Sequence, residues 1–537
     1  MRNPFFNVLA MALLMVPAAC DRPPPAPGGG PGEGAYRHAL DGAPDSLDPV
    51  HAASQYANFV VVNLYDTLYA YRYLARPYVL EPNLAAALPE ISADGLVYRI
   101  SLKQGVLFQD DPAFAGGDRE LTADDVVYSL SRHFEPAARS RGAWLWHNRI
   151  VGLDAWGAEG GDADAEIEGL RAIDRYTVEI RLLRPYPQLV NTLATGFSAI
   201  IPRRAVEYYG ADFALHPVGS GPYRLAHFDL TRAVLERNPE FRSEPFAPAA
   251  EGYDPALHDP AIAALAGRPP PFTDRIELEF ILEDSARWQA LRSGELDYAR
   301  VPAVHFAEVL EAPGAPGEPL VLKARWRDAY RVRAQAEAGF ARLDFNMDDP
   351  RIGDHDDPHI ARQNRELRCA IRQAFDWPAR NEALYFNIGQ VYPGVIPPFL
   401  PEYDPALDDT SIRRDLDAAR SVIMARHDFP DLEYGYASSV VNRQFFEQFR
   451  AFMEEAGYLR QRIKAQVFPG FADFLRAVRE RQVMLIFSGW NMDFPDAENI
   501  MQLYYGPNSA PGANYANYRN PEYDQLYEAA AVLPPGG

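Results

Sequence analysis

The stretch SGWNMDFPDAEN, Ser488 to Asn499, places a tryptophan and several carboxylates directly after the apolar run VMLIF at 483–487. That run has the length and composition of a fully buried strand. Open α/β sheets present ligands at the carboxyl ends of their strands, so the side chains that follow the run are expected at a cleft. Carboxylates and an aromatic ring in such a place suit a catalytic site, a metal site or a charged contact to a ligand.

The sequence lacks the common motifs of catalysis and of metal binding. No G-x-S-x-G elbow, H-E-x-x-H or C-x-x-C occurs. His355 and His359 in HDDPH are predicted to lie in an exposed loop, because Pro358 interrupts a helix that would align them. Adjacent carboxylates such as Glu283 and Asp284 cannot flank a scissile bond from opposite sides. We therefore predict no catalytic residue, no metal site, no cofactor and no enzymatic activity.

Composition and charge exclude some partners. The 537 residues, 47% of them hydrophobic, suffice for two or three domains. The formal net charge of −22 argues against nucleic acid or an anionic membrane surface as a partner, because phosphate binding uses clustered Lys and Arg. The 47 prolines indicate many loops and linkers rather than a helical bundle.

The first residues have the pattern of a targeting segment. MRNPFFNVLAMALLMVPAAC combines a cationic start, a short apolar stretch and small residues before Cys20. This pattern predicts a signal peptide over 1–19 and resembles the bacterial lipoprotein signal, in which Cys20 would be lipidated. Asp21 resembles the signal that keeps lipoproteins in the inner membrane. Residues 20–34 are predicted to form a Pro/Gly-rich tether, and ordinary secretory cleavage near residues 16–18 is the alternative.

Beyond residue 34 the segments alternate between strand-like and helix-like patterns. Thr122 and Asp125 predict a capping box at the start of a helix, and RIELEF predicts a strand with alternating burial. Gly294 predicts the end of the helix that follows this strand. RELRCAIRQAF predicts an amphipathic helix on which Cys369 packs. The alternating order favours α/β lobes over a sandwich or a bundle.

Ten short stretches, in this order, resemble the large extracellular solute-binding proteins that deliver peptides, nickel complexes and related solutes to ABC importers, the oligopeptide and dipeptide receptors of family 5. Each stretch is weak alone, but ten in the family's order are specific. They are SLDP (46–49), VYRISLKQGVLFQD (97–110), LTADDVVYSLSR (121–132), VGSGPYRL (218–225), VLERNPEFR (234–242), SGELDY (293–298), FNMDDP (345–350), LRCAIRQAFDW (367–377), GWNMDFPDAEN (489–499) and NPEYDQLYEAA (520–530).

The resemblance implies an α/β fold, the two-lobed periplasmic-binding-protein clamshell of type II and large class, with an extra inserted domain. By analogy, lobe I comprises 35–68, 204–300 and 488–537, the inserted domain II 69–203, and lobe III 301–487. The stretch after Trp490 is about half as long as the family normally has there, so we expect the C-terminus to be truncated.

The resemblance also implies a function and its residues. Asp493 occupies the position of an aspartate that holds the free α-amino group of peptide ligands, and a structural role in the loop is the alternative. Trp490 and Tyr65 are candidate pocket residues, and the alternative for Trp490 is a packing role within the lobe. The implied protein is a monomeric receptor in the periplasm, anchored to the inner membrane through lipid on Cys20. It would trap a small peptide or peptide-like solute by hinge closure and deliver it to an ABC permease and ATPase complex.

Two alternatives stay open. The same receptor could take a non-peptide solute such as a metal chelate, a sugar or an opine. An enzyme or a sensor built on the same clamshell is the second alternative.

Overall fold

The computed structural model describes residues 34–533, except 163–164, 243, 313–314, 316–317, 335–337 and 427. The predicted signal peptide, the predicted lipidation site Cys20 and the tether up to residue 33 lie outside the described residues. Across the described part of the chain, no helix combines the length and the apolar character that a bilayer crossing requires.

Strands and helices are interspersed along the chain, often as consecutive strands or consecutive helices rather than in strict alternation. The strands are β1 (Ala35–Leu40), β2 (Tyr69–Tyr71), β3 (Leu80–Pro82), β4 (Glu90–Ile91), β5 (Val97–Ser101), β6 (Leu170–Asp174), β7 (Thr177–Arg181), β8 (Tyr223–Phe228), β9 (Arg232–Arg237), β10 (Arg275–Phe280), β11 (Gly339–Phe345), β12 (Leu432–Ala437), β13 (Ile463–Phe468) and β14 (Leu485–Asn491). The α-helices are α1 (Gln55–Leu64), α2 (Ala123–Ser131), α3 (Leu153–Ala158), α4 (Leu189–Thr192), α5 (Arg203–Tyr209), α6 (Pro260–Ala263), α7 (Asp284–Ser293), α8 (Phe306–Val309), α9 (Ala324–Arg327), α10 (Pro358–Ala374), α11 (Trp377–Tyr385), α12 (Leu416–Met424), α13 (Val440–Glu455), α14 (Phe471–Arg479), α15 (Glu498–Met501) and α16 (Pro521–Ala530).

The first half of the chain builds one large core around two four-stranded sheets. One sheet has the order β1-β10-β9-β8, with β1 parallel to β10, and the other is the antiparallel sheet β4-β5-β7-β6. A single hydrophobic cluster joins them, running from Leu40 through Trp146 to Phe280. The predicted lobe I and the predicted inserted domain therefore share a continuous core.

The second half forms a separate sheet that carries the candidate site. Its order is β11-β14-β12-β13, with β14, β12 and β13 parallel and β11 antiparallel at the edge. Helices α10, α12 and α13 cover one face through a cluster that includes Leu367, Phe449 and Leu485. Helix α14 covers the other face around Phe474 and Ile486. Two main cores on the two halves of the chain are what a two-lobed molecule requires.

Several local predictions are confirmed. Thr122 and Asp125 form the capping box of α2, and Gly294 ends α7 with a φ of 80°. Residues Ile276, Leu278 and Phe280 of β10 are buried in alternation. The packing of Cys369 was predicted wrongly, because this thiol is exposed. The buried face of α10 is formed by Leu367, Ala370, Ile371 and Ala374, and residue 369 lies off that face.

Two of the ten motif stretches meet through a buried ion pair. Asp48 of SLDP accepts hydrogen bonds from both terminal nitrogens of Arg132, the last residue of LTADDVVYSLSR, each at 2.7 Å. Both side chains are buried. His51 also pairs with Asp48, at 3.6 Å. This ion pair therefore joins the two motifs within the first half of the chain.

Strand β14 is longer than the sequence suggested. The apolar run ends at Phe487, but β11 pairs with β14 from Phe345↔Leu485 to Gly339↔Asn491. Backbone pairing continues the strand even though its side chains have become polar. The predicted boundary between lobe III and the last segment of lobe I, at 487/488, falls inside this strand. The domain limits as a whole stay a prediction.

Candidate ligand-binding site

Trp490 and Asp493 converge on the amide of Asn499 at the carboxyl end of β14. Trp490 Nε1 donates to Asn499 Oδ1 at 2.9 Å, and the backbone N–H of Asp493 donates to the same oxygen at 3.2 Å. In return, Asn499 Nδ2 donates to Asp493 Oδ2 at 3.0 Å. Asn499 is only 1% exposed. A buried amide with these partners holds the indole and the carboxylate in fixed orientations.

The short helix α15 places Asn499 at this position. Asp496 Oδ1 accepts a hydrogen bond from the backbone N–H of Glu498 at 2.8 Å, which satisfies one donor at the start of the helix. Glu498 lies in the first turn and accepts a hydrogen bond from the Tyr527 hydroxyl at 2.5 Å. The carboxylates at 496 and 498 thus have structural partners.

Asp493 differs from its two acidic neighbours in having an exposed side chain. The protein mass around the carboxyl raises its pKa above the ordinary value, while the hydrogen bond from Asn499 works in the opposite direction. No Lys or Arg of the described chain forms an ion pair with Asp493. An accessible carboxylate without a cationic partner, inside a dense protein surrounding, is suited to receive a cation from solution.

Residues of the first core face this acidic segment. Gln188 Nε2 donates to Asp496 Oδ1 at 3.4 Å, which links the residue that precedes α4 to the segment after β14. Burial raises the pKa of Tyr186; the charge of Arg149 lowers it, and the charges of Glu498, Asp496 and Asp493 raise it. The site therefore lies where the two halves of the molecule oppose each other.

A cavity of about 530 Å³ opens beside Trp490. Ala437 and Asn491, the last residues of the parallel strands β12 and β14, both line it. Most of its wall is aromatic, and none of the described residues that line it carries a charge. Asp493 is not among the lining residues. The structure thus brings an uncharged aromatic cavity next to, but not around, the Asp493 carboxylate.

Tyr65 lies elsewhere, in the core of the first half. It is 3% exposed, and its hydroxyl donates to the carbonyl of Leu47 at 3.2 Å. The turn VGSGPY packs tightly against this point, since a Cβ on Gly219 would come within 2.0 Å of the Leu64 carbonyl oxygen. Tyr65 is a packed core residue in this structure and does not join Trp490 and Asp493.

Sequence reasoning missed Asn499. Within the described part of the chain, its side chain is the only polar one that links Trp490 and Asp493, yet in the sequence it is one residue of a short acidic stretch. No hydrophobic periodicity in the sequence indicates that the amide six positions after Asp493 is buried next to it. Only the turn between β14 and α15, which folds the chain back, brings the two together.

No group of three or more His, Cys, Asp or Glu within the described residues could hold a metal ion. Pro358 does not interrupt a helix between His355 and His359 but is the first residue of α10, a position where proline is tolerated. His355 therefore lies before the helix and His359 in its first turn.

Comparison with protein families matches residues 79–512 to the bacterial extracellular solute-binding proteins, family 5. The glutathione-binding protein GsiB of Escherichia coli O1:K1 is 28% identical over 267 residues, which cover 50% of this chain and 42% of GsiB. The match thus spans less than half the length of that relative. The probable di/tripeptide-binding protein 5 of Pseudomonas aeruginosa is 25% identical over 450 residues, covering 81% of this chain and 73% of the relative.

Among solved structures, the periplasmic binding protein DppA from Helicobacter pylori, in complex with the peptide STSA, superposes with a TM-score of 0.67. The two chains are 20% identical, and the match covers 93% of this chain and 87% of DppA. The fold is thus the two-lobed α/β clamshell of the periplasmic binding proteins that the sequence predicted.

Proposed function

Because this chain belongs to the bacterial extracellular solute-binding proteins of family 5, we propose that it is the substrate-binding component of an ABC importer. In this role it captures a small peptide or peptide-like solute by hinge closure and delivers it to a permease and ATPase complex. The family comprises solute-binding proteins rather than enzymes, in agreement with the absence of catalytic motifs noted above.

The observation that carries the proposal is the pairing of Asp493 with Trp490 through Asn499. An exposed carboxylate without a cationic partner is held in one orientation beside an uncharged aromatic cavity. A ligand ammonium can pair with Asp493 while an apolar side chain enters the cavity beside Trp490. Closure of the cleft lowers the local dielectric and strengthens this ion pair, which favours ligands with a free amine.

Related proteins support a peptide-like solute over the alternatives. One relative is a glutathione-binding protein and another a probable di/tripeptide-binding protein. Both ligand types are small and carry a free amino group and a carboxylate.

The family supports a location outside the cytoplasm, and the predicted signal peptide supports a lipid anchor. The family is extracellular, so the chain acts outside the cytoplasm. Lipidation of Cys20 would hold a monomeric receptor at the outer face of the inner membrane, next to its permease.

The test is a thermal-shift screen of the full mature chain. Di- and tripeptides with free N-termini should raise the melting temperature, and their N-acetylated forms should not. Asp493→Asn should abolish the shift, while Asp356→Asn, an exposed carboxylate before α10, should leave it unchanged. Stabilisation by sugars or metal chelates alone, or turnover of any ligand, would refute the peptide-receptor proposal.

A further inference from the structure

The segment KARWRDAYRVR, residues 323–333, is basic in a chain that is acidic as a whole. It contains five Lys or Arg residues and one acidic residue, Asp328, whereas the whole chain has 52 basic and 74 acidic residues. The side chains of Arg325, Arg327 and Arg333 are 61%, 52% and 56% exposed, and Arg331 is exposed as well. We use the name basic strip for six cations, namely Arg292 of α7 and Lys323, Arg325, Arg327, Arg331 and Arg333.

Trp326 of α9 fixes the basic strip to the body of the protein. Its ring is 8% exposed and lies 5.7 Å from the ring of Trp288 in α7, measured between ring centres. The guanidinium groups of Arg325 and Arg292 lie 5.3 and 5.7 Å from the centre of the Trp326 ring. A guanidinium group that is held on an aromatic ring loses less conformational freedom when it binds an anion.

The described chain neutralises only part of the charge of the basic strip. Three of its cations have carboxylate partners, namely Arg325 with Glu308 at 3.3 Å, Arg327 with Glu311 at 3.0 Å and Arg333 with Asp259. No described carboxylate forms an ion pair with Lys323, Arg331 or Arg292. Lys323 and Arg331 donate to backbone carbonyls instead. Even with Asp328 counted, the strip keeps a net positive charge that an anionic partner can neutralise.

The basic strip lies close to the point where the predicted tether reaches the fold. Strand β1 begins at Ala35, and Arg37 Nη1 donates to the carbonyl of Gly294 at 2.8 Å. Gly294 directly follows α7 and is two positions after Arg292. The residues between Cys20 and Ala35 can extend at most about 50 Å. An anchor at Cys20 would therefore keep the strip within reach of the membrane.

The chemistry of the strip fits the surface of an anionic phospholipid membrane. Such a surface presents many phosphates in one plane, so several cations of the strip can each meet one of them. Guanidinium groups suit phosphates, because their planar donors match the phosphate oxygens. A tether raises the effective concentration of the strip at the surface, so a weak second contact is enough to hold it there. The family is extracellular, which separates the strip from cytoplasmic nucleic acid.

We propose that the basic strip binds the anionic phospholipid headgroups of the membrane that carries the lipid anchor, and that it orients the receptor on that surface. The net charge of −22 opposes binding of the chain as a whole, so the contact depends on the local excess of cations. The proposal uses the predicted anchor at Cys20 and is independent of the solute that the receptor captures.

The experiment measures membrane binding without the anchor. The mature chain with Cys20→Ser is sedimented with vesicles of phosphatidylcholine alone or with about 30% phosphatidylglycerol. It should sediment with the anionic vesicles and stay in solution with the neutral ones. A change from about 0.1 M to about 1 M salt shortens the Debye length from about 10 Å to about 3 Å and should abolish this binding. Equal binding to both vesicles, or binding to neither, would overturn the proposal.

A pair of variants locates the binding surface. Lys323→Gln combined with Arg331→Gln removes two cations without carboxylate partners and should weaken binding to the anionic vesicles about tenfold or more. The control combines Arg362→Gln with Arg365→Gln, two exposed arginines of α10 that give the same change in net charge, and it should bind as wild type does. Both should keep the wild-type melting temperature, since neither breaks a described ion pair. Equal weakening in the two variants would assign binding to overall charge and refute the strip.

Polyglutamate tests whether an acidic protein is the partner instead. Retention of the chain on polyglutamate, without binding to the phosphatidylglycerol vesicles, would assign the strip to an acidic protein surface and overturn the lipid proposal. The peptide screen contains no vesicles, so its result is separate. Binding of peptides without binding of vesicles would leave the receptor function and remove the membrane contact, and the opposite pair of results would do the reverse.

Discussion

Trp490 and Asp493 share one hydrogen-bond partner, the buried amide of Asn499, whose oxygen accepts from the Trp490 indole at 2.9 Å and whose nitrogen donates to Asp493 at 3.0 Å. The same side chain therefore orients the ring that borders the cavity and the carboxylate that is proposed to bind a cation. A change at Asn499 should alter both, although Asn499 itself is too deeply buried to contact a ligand.

Replacement of Asn499 should shift the pH dependence of ligand binding. Its amide N–H stabilises the ionised form of Asp493, so Asn499→Ala should raise the pKa of Asp493 further above its ordinary value. An ammonium ligand needs the carboxylate, so binding is lost as the pH falls through this pKa. The midpoint should move to higher pH in Asn499→Ala and further in Asn499→Asp, which adds a like charge.

Titration calorimetry between pH 4 and 7 with a free-amine peptide that binds checks this order, because the N-terminal amine stays protonated there. Identical midpoints in wild type and in both variants would show that Asn499 does not act on Asp493.

Replacement of Trp490 should distinguish the contribution of its hydrogen bond to ligand affinity from the contribution of its ring. Trp490→Phe keeps an aromatic face at the cavity but removes the Nε1 donor, and Asn499 Oδ1 still accepts from the Asp493 backbone. One hydrogen bond of about 1 kcal/mol corresponds to roughly fivefold weaker binding. Trp490→Ala should lose considerably more, because the ring surface also disappears. Equal affinities of Trp490→Phe and wild type would assign the whole effect to the ring.

Part of this structure could be predicted from the sequence, because it depends on residues that are close together along the chain. The capping box of Thr122 and Asp125, the alternation in β10 and the stop at Gly294 are all local. The apolar run before Trp490 correctly indicated a buried strand. Asn499 was not predicted, because it meets Trp490 and Asp493 only through the turn between β14 and α15.

The cavity of about 430 Å³ along β11, which Arg342 and Arg380 line, could not be predicted from the sequence for a related reason. Arg342 lies on an edge strand and Arg380 on α11, and nothing in either segment indicates that the two meet. Strand β14 extended past its apolar run because β11 pairs with its backbone. Tyr65 was placed near a ligand by analogy, but the tight approach of Gly219 to the Leu64 carbonyl shows a packing role for this region.

Asp493→Asn should preserve stability while it removes binding. The folded protein raises the pKa of this carboxyl, so its contribution to stability is present below the unfolded pKa of about 4 and is lost as the pH rises through the folded pKa. At pH 7 the asparagine variant should therefore unfold at the same or a higher temperature than wild type. Near pH 3 the two should coincide. A variant that is less stable at pH 7 would assign Asp493 a structural role.

The buried pair Asp48–Arg132 should govern the acid stability of the first core. Burial alone would raise the pKa of Asp48, but hydrogen bonds from Arg132 and His51 hold it well below its ordinary value. Stability from this carboxylate is present above the unfolded pKa and is lost as the pH falls below about 4. Asp48→Ala leaves Arg132 buried without a partner and should cost about 3–5 kcal/mol in the free energy of unfolding.

The matched control for Asp48 is Asp45, which pairs with the exposed Arg141 and also accepts a hydrogen bond from the Ser54 hydroxyl. Asp45→Ala should cost at most about 1 kcal/mol, because solvent screens such pairs. Urea denaturation at pH 7 measures the free energy of unfolding of both variants. At pH 3 the difference in this free energy between Asp48→Ala and wild type should be smaller. Equal losses for the two variants would mean that the two motif stretches joined by Asp48 and Arg132 do not hold the first core together.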